Sequence, residues 1–126
     1  MATLEQDLKQ YFGFDSFLPG QRDLIEQVVS GRDAFALMPT GAGKSLIYQL
    51  SSQILPGLTV VVSPLIALMH DQVERLQANG IPATFVNSML DPDERTRRER
   101  AALRGEFKLL YVAPERLLTP IFLALL

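Results

Sequence analysis

Between Ala34 and Ile54 an apolar run, a glycine-rich turn and a helical pattern follow one another without a gap, and this succession limits the folds open to the chain more than any other stretch. Ala34 to Leu37 suit a buried strand, while Leu46, Ile47, Leu50 and Ile54 recur at helical spacing. The turn joining them is Met38-Pro39-Thr40-Gly41-Ala42-Gly43-Lys44-Ser45. Gly41 and Gly43 permit backbone angles and a close approach that a side chain would block, so successive N–H groups can turn toward phosphate oxygens. The helix that follows adds its unpaired first-turn donors and the positive end of its dipole. Lys44 is then placed to reach the β and γ phosphates of a nucleotide, and the Ser45 hydroxyl to ligate the magnesium ion bridging them. The strict phosphate-loop pattern asks for glycine where the chain has Met38, but Gly-x-Gly-Lys-Ser is intact. The bland alternative is an ordinary strand-to-helix turn in which Lys44 and Ser45 are coincidental.

The same alternation of strand and helix recurs along the chain. Thr3 caps a first amphipathic helix with Gln6 as its capping-box partner, and Leu4, Leu8, Tyr11 and Phe12 form one face that ends at Gly13. Residues 14–20 are too rich in turn formers to be regular, yet carry Phe14, Phe17 and Leu18, so the loop must pack against something. A second helix follows, with Ile25, Val28 and Val29 inward. Leu58 to Val62, Ala83 to Val86 and Lys108 to Val112 read as further strands. Between them lie a helix with Ile66, Met69, Val73 and Leu76 inward, and one capped by Asp91 with Pro92 at its first position. That second helix is mostly charge. Arg95, Arg97, Arg98, Arg100 and Arg104 interleave with Glu94 and Glu99, a pattern that reads as a solvated face before a nucleic-acid surface.

Strands separated by helices imply a parallel sheet covered by helices on both faces, with the functional loops at the carboxyl ends of the strands. The loops expected at that edge are the phosphate loop, Ser63-Pro64-Leu65 and Ala113-Pro114-Glu115-Arg116. A chain of 126 residues fits one domain with a real core, and 48% hydrophobic residues argue against disorder. It has no cysteine and a single histidine, which excludes disulfides and makes a zinc site implausible. A net charge of −2 gives no global field to gather nucleic acid, so such contacts have to be local. No leader pattern and no stretch of membrane-spanning length occurs, which points to an intracellular protein without a membrane partner.

With these residues in hand, the chain resembles the N-terminal part of RecQ-type DNA helicases of superfamily 2 over nearly its whole length. Phe12-Gly13-Phe14 through Phe17-Leu18-Pro19-Gly20-Gln21 looks like the adenine-reading motif, and Met38 to Ser45 like the phosphate loop, which in this superfamily commonly opens with alanine or a similar residue. Val61 through Gln72 and Leu110 through Leu117 look like two strand-contacting motifs. The resemblance implies an α/β, RecA-like phosphate-loop NTPase domain. Residues 1–33 are then the helical lead-in carrying the adenine motif, and 34–126 a partial sheet that stops before the strand bearing the metal-binding acids. It implies ATP and Mg2+ as cofactors, with Phe14 and Gln21 on adenine, Pro39, Thr40, Gly41, Ala42, Gly43 and Lys44 around the phosphates, and Ser45 on magnesium. Gln21 suits that role chemically, since one amide offers a donor and an acceptor to the base edge. The family usually has arginine where this chain has Leu18, so guanidinium stacking over the base is lost.

For DNA, single-stranded or at junctions, the resemblance implies Ser63, Pro64, His70, Gln72, Asn87 and Arg116 as contacts. Four of them have a plainer alternative: a turn at Pro64 and Asn87, a surface histidine at His70, and an ion pair between Arg116 and the adjacent Glu115. The activity implied is ATP-driven 3′–5′ unwinding, in DNA repair and recombination, by a cytoplasmic protein that is nucleoid-associated if bacterial. The catalytic acids sit in an Asp-Glu-x-His segment in this family, which is absent from the 126 residues, and the apolar stretch Leu118 to Leu126 begins a helix at Pro120 that reads as broken off in its middle. Two other readings stand beside it: a non-catalytic module that binds nucleotide or a partner, and a small phosphoryl transferase built on the same loop.

Overall fold

The computed structural model describes residues 3–34 and 43–120. Residues 35–37 of the expected first strand, Met38 to Ala42 of the phosphate loop, and positions 121–126 lie outside the described residues. The chain divides into two compact units, Met1–Pro56 and Gly57–Leu126.

The described residues of the first unit form three helices. Helix α1, Leu4–Phe12, opens with the expected capping box, Thr3 and Gln6 satisfying each other's backbone N–H, and closes on Gly13 in the left-handed region at φ 76°. Helices α2, Gln21–Val29, and α3, Lys44–Ile54, pack against each other, and α1 packs on α3. Leu8, Ile25, Ile47 and Leu50 form the buried centre, and Phe12, Phe17, Val29 and Ile54 pack around it. Each fully buried aliphatic side chain here stabilises the unit by roughly 1.5–3 kcal/mol. Phe17 is therefore the loop aromatic that packs inward, whereas Phe14 and Leu18 are exposed.

The second unit carries the sheet. Strands β1 (Thr59–Val62), β2 (Ala83–Val86) and β3 (Leu109–Val112) run parallel in the order β1-β3-β2. Helices α4 (Ile66–Ala78) and α5 (Pro92–Leu103) form the connections, and a single turn, α6 (Pro114–Leu117), follows β3. Alternation along the strands sends Val86, Leu110 and Val112 to one face, where Ala102 of α5 packs. Phe85 and Tyr111 point to the other, where the Phe85 ring meets His70 of α4 edge-on at 5.9 Å. A helix thus serves each face, as a parallel sheet requires. Met69, Val73 and Leu76 are the buried stripe of α4, which stops at Asn79-Gly80 as the sequence predicts.

The charged helix departs from expectation. Asp91 caps it and Pro92 sits in its first turn, but its face is not simply solvated. Glu99 is buried, and Arg98 wraps the edge of β2 facing away from β3. The Arg98 guanidinium donates to Thr84 Oγ1 and to the Phe85 carbonyl, and lies 4.7 Å from the centre of the Phe85 ring. Gln77 of α4 donates to the Ala83 carbonyl two residues earlier. Side chains from both helices therefore occupy carbonyls that an open edge strand would otherwise offer to another chain. The inward stripe of α5 falls at 95, 98, 99 and 102, the i, i+3, i+4, i+7 spacing of one helix face.

Candidate nucleotide and nucleic-acid sites

In the first unit the chemistry gathers at the N-terminus of α3. Gly43 is its N-cap, at φ 76° with no side chain capping the helix, and the first turn contains no acidic residue. Helices α1, α2 and α5 each carry aspartate or glutamate in that turn. The positive dipole end of α3 is therefore uncompensated by acids of its own, with Lys44 exposed and Ser45 half-buried in the first turn. That combination suits an anion whose oxygens take the helix N–H groups, and a hydroxyl ligand for an accompanying cation.

Gln21 links this terminus to the loop ahead of α2. Its Oε1 accepts from the Leu18 N–H at 2.8 Å, and its Nε2 donates to the Gly43 carbonyl at 3.1 Å. Only 1% of the residue is exposed. A Cβ at Gly43 would lie 2.1 Å from Gln21 Nε2, so the close approach and the positive φ both require glycine there. The amide retains a second N–H and a second lone pair beyond these two bonds. Phe14, more than half exposed, and Leu18 present apolar surface from the same loop. Pro39, Thr40, Gly41 and Ala42 fall outside the described residues.

In the second unit the register aligns Val62, Val112 and Val86 across the sheet, so Ser63, Ala113 and Asn87 follow at one carboxyl edge. The Ser63 N–H donates to the Val112 carbonyl, and its Oγ accepts from the Leu65 N–H. This brings two of the expected loops together. Pro64 is exposed between them. The first turn of α4 also lacks an acid and a side-chain cap. His70 is exposed, 3.7 Å from Glu74, and Gln72 is half-buried. Asn87 is buried: its Oδ1 accepts from the Met89 N–H, while Nδ2 faces the Met69 sulfur at 3.7 Å. It orders the turn after β2 and presents no free face to solvent.

Arg116 does not pair with the adjacent Glu115. Its Nε and Nη2 both donate to Oε1 of Glu99, which arrives from α5. Sequence reasoning missed Glu99 because charge pattern alone put it on a solvated face. The available signal was its spacing from Ala102, a small apolar residue on the same inward stripe.

Residues 18–124 match the family model of the DEAD/DEAH box helicases. The chain is similar to the ATP-dependent DNA helicase RecQ of Haemophilus influenzae, 46% identical over 119 residues, covering 94% of this chain and 19% of that protein. The probable ATP-dependent DNA helicase RecS of Bacillus subtilis is 48% identical over 121 residues, 95% of this chain and 24% of its own length. The ATP-dependent DNA helicase Q-like 5 of Arabidopsis thaliana is 43% identical over 123 residues, 98% and 13% respectively. The chain thus spans between 13% and 24% of the length of these three relatives. No described helix is long and apolar enough to cross a membrane.

Proposed function

The chain belongs to the DEAD/DEAH box helicase family, and from that premise we propose that it carries the ATP-binding part, and some of the DNA-binding surface, of a RecQ-like 3′–5′ DNA helicase. The observation that carries the nucleotide reading is the Gln21 bridge. One buried amide joins the aromatic loop to the cap of α3, so a ligand engaging Phe14 and the helix end meets parts already held in register. The residues fit magnesium-bound ATP: an N-terminus without acids, Lys44 as an exposed cation, Ser45 as a hydroxyl ligand, and an exposed aromatic for a base. Lys44 would take the β and γ phosphates together with the N–H groups around Gly41 and Gly43, and Ser45 would take magnesium. Pro39, Thr40 and Ala42 would complete the cradle. Phe14 would stack on adenine while the spare donor and lone pair of Gln21 meet its edge. When bound, ATP supplies the free energy of hydrolysis that drives strand separation.

For DNA the support is the carboxyl edge of the sheet. Ser63 keeps its hydroxyl proton for a phosphate oxygen, the α4 terminus lacks acids, and His70, Gln72 and Arg116 belong to the elements leaving that edge. Pro64 and Asn87 shape the two turns. Single-stranded DNA or a junction is the partner this implies, in an intracellular protein of DNA repair and recombination. The Asp-Glu-x-His acids are not among these residues, so hydrolysis by this chain alone is not expected. The test is equilibrium binding of a fluorescent ATP analogue with and without Mg2+. Lys44→Ala should abolish magnesium-dependent binding while the far-UV spectrum is unchanged, and equal binding by that variant would sink the reading.

A further inference from the structure

Arg116 sits on α6, a helix of four residues. One turn has no intrinsic stability, because nucleation costs more than a single turn of hydrogen bonds returns. What else fixes the guanidinium is Glu99, from a twelve-residue helix anchored to the sheet through Ala102 and Arg98. The Glu99 side chain keeps 4% of its surface and that of Arg116 14%. Both donors, Nε and Nη2, converge on Oε1, and Oε2 is buried without a hydrogen-bond partner among the described residues. A pair selected for stability would engage both oxygens in a fork. Burying a carboxylate with one oxygen orphaned is a costly way to hold a fold, and an apolar replacement is often neutral or better. The arrangement instead fixes one edge of the guanidinium and leaves its Nη1 end uncommitted to Glu99.

We propose that Glu99 is a positioning residue for Arg116, setting the direction from which the guanidinium meets a nucleic-acid phosphate at the carboxyl edge of the sheet. This rests on the reading above that Arg116 contacts DNA. Glu99 then sets the direction from which the Arg116 charge reaches a phosphate. Losing its orientation should cost as much as losing the residue.

The experiment measures binding of fluorescein-labelled oligo-dT to the purified chain across a salt series, for Glu99→Ala, Glu99→Gln, Arg116→Ala and the double alanine variant, at a temperature where each is folded by circular dichroism. Each phosphate contact contributes about 0.7 to the slope of log affinity against log salt for single strands. Glu99→Ala and Arg116→Ala should each lower the slope by about 0.7 and weaken binding by the same factor, and the double variant should lose no more than either. Glu99→Gln, which keeps an uncharged acceptor at Oε1, should fall between wild type and alanine, and it carries the test if Glu99→Ala fails to fold. A purely structural role would shift the melting temperature and leave the slope of the folded protein alone, which would overturn the inference. Tighter binding by Glu99→Ala would also overturn it, making the carboxylate a competitor of phosphate. If Arg116→Ala itself binds oligo-dT like wild type, the DNA reading of Arg116 fails first.

Discussion

The Gln21 to Gly43 contact predicts an energetic coupling that can be worked from its geometry. In Gly43→Ala the new Cβ would stand 2.1 Å from Gln21 Nε2, so the glutamine must leave. Holding alanine at φ 76° costs roughly 1–2 kcal/mol by the left-handed penalty. Displacing Gln21 forfeits the bonds to the Leu18 N–H and the Gly43 carbonyl, each contributing about 1 kcal/mol net. The single variant should thus lose about 3–4 kcal/mol of stability, and Gln21→Ala about 2 kcal/mol. In the Gln21→Ala background the clash has nothing left to displace, and only the backbone penalty of about 1–2 kcal/mol remains. The double variant should therefore resemble Gly43→Ala, with a coupling of about 2 kcal/mol against additivity. Urea unfolding followed by far-UV circular dichroism reports it, since helices α1, α2 and α3 of the first unit contribute to that signal. If the double variant loses the sum of the single losses within about 0.5 kcal/mol, the bridge does not exist in solution and the argument fails.

Two further outcomes test the second unit and the acid response. Arg98→Ala removes the bonds to Thr84 and to the Phe85 carbonyl together with the contact over the Phe85 ring, so it should lose about 1–3 kcal/mol in urea unfolding and gain concentration-dependent scattering as the β2 edge opens; a monodisperse variant of wild-type stability would refute the edge-capping role. The hydrogen bond from Arg98 holds the Glu94 carboxyl below its ordinary 4.5, and that from Arg22 does the same for Glu5. A carboxylate whose folded value is depressed contributes stability present above its unfolded value and lost as pH falls through the folded one. The urea midpoint should accordingly drop below pH 4.5, and Glu94→Gln should flatten part of that drop; an acid limb unchanged in Glu94→Gln would remove Glu94 from the account.

Most of the second unit was legible because its signals are local and redundant. A beta-branched run gave β1, the Asn79-Gly80 stop ended α4, and Asp91-Pro92 placed the start of α5 to the residue. What was not legible was which charges turn inward. In α5 every position but the alanines is polar or charged between Pro92 and Ala102, so charge pattern carries no phase, and only Ala101 and Ala102 reveal the buried side. From them Glu99 and Arg98, three and four residues back from Ala102, share the inward face. The partner of Arg116 lay 17 residues away on another element, whereas sequence proximity offered only Glu115. Gln21 was legible as a residue suited to a base edge, but not as the bridge to Gly43, because a bond across 22 residues depends on how α2 and α3 pack.

The ion pairs also bear on how a chain of net charge −2 could bind two polyanions, as proposed above. Arg22 is held by Glu5 and Glu26, Arg97 and Arg98 by Glu94, Arg104 by Glu106 and Arg116 by Glu99. Arginines so committed add little long-range attraction, and exposed pairs of this kind contribute little stability either, roughly 0–1 kcal/mol each. Two groups suited to anions are short-ranged and directional: helix ends without first-turn acids at α3 and α4, with Lys44 beside the first and the Ser63 hydroxyl just ahead of the second. Backbone N–H groups act only on a phosphate already at contact distance. Such sites favour a ligand delivered in register over indiscriminate binding of any polyanion. On the function proposed above, a helicase that releases and rebinds a strand as nucleotide turns over would use contacts of this kind, strong at contact and weak a few ångströms away.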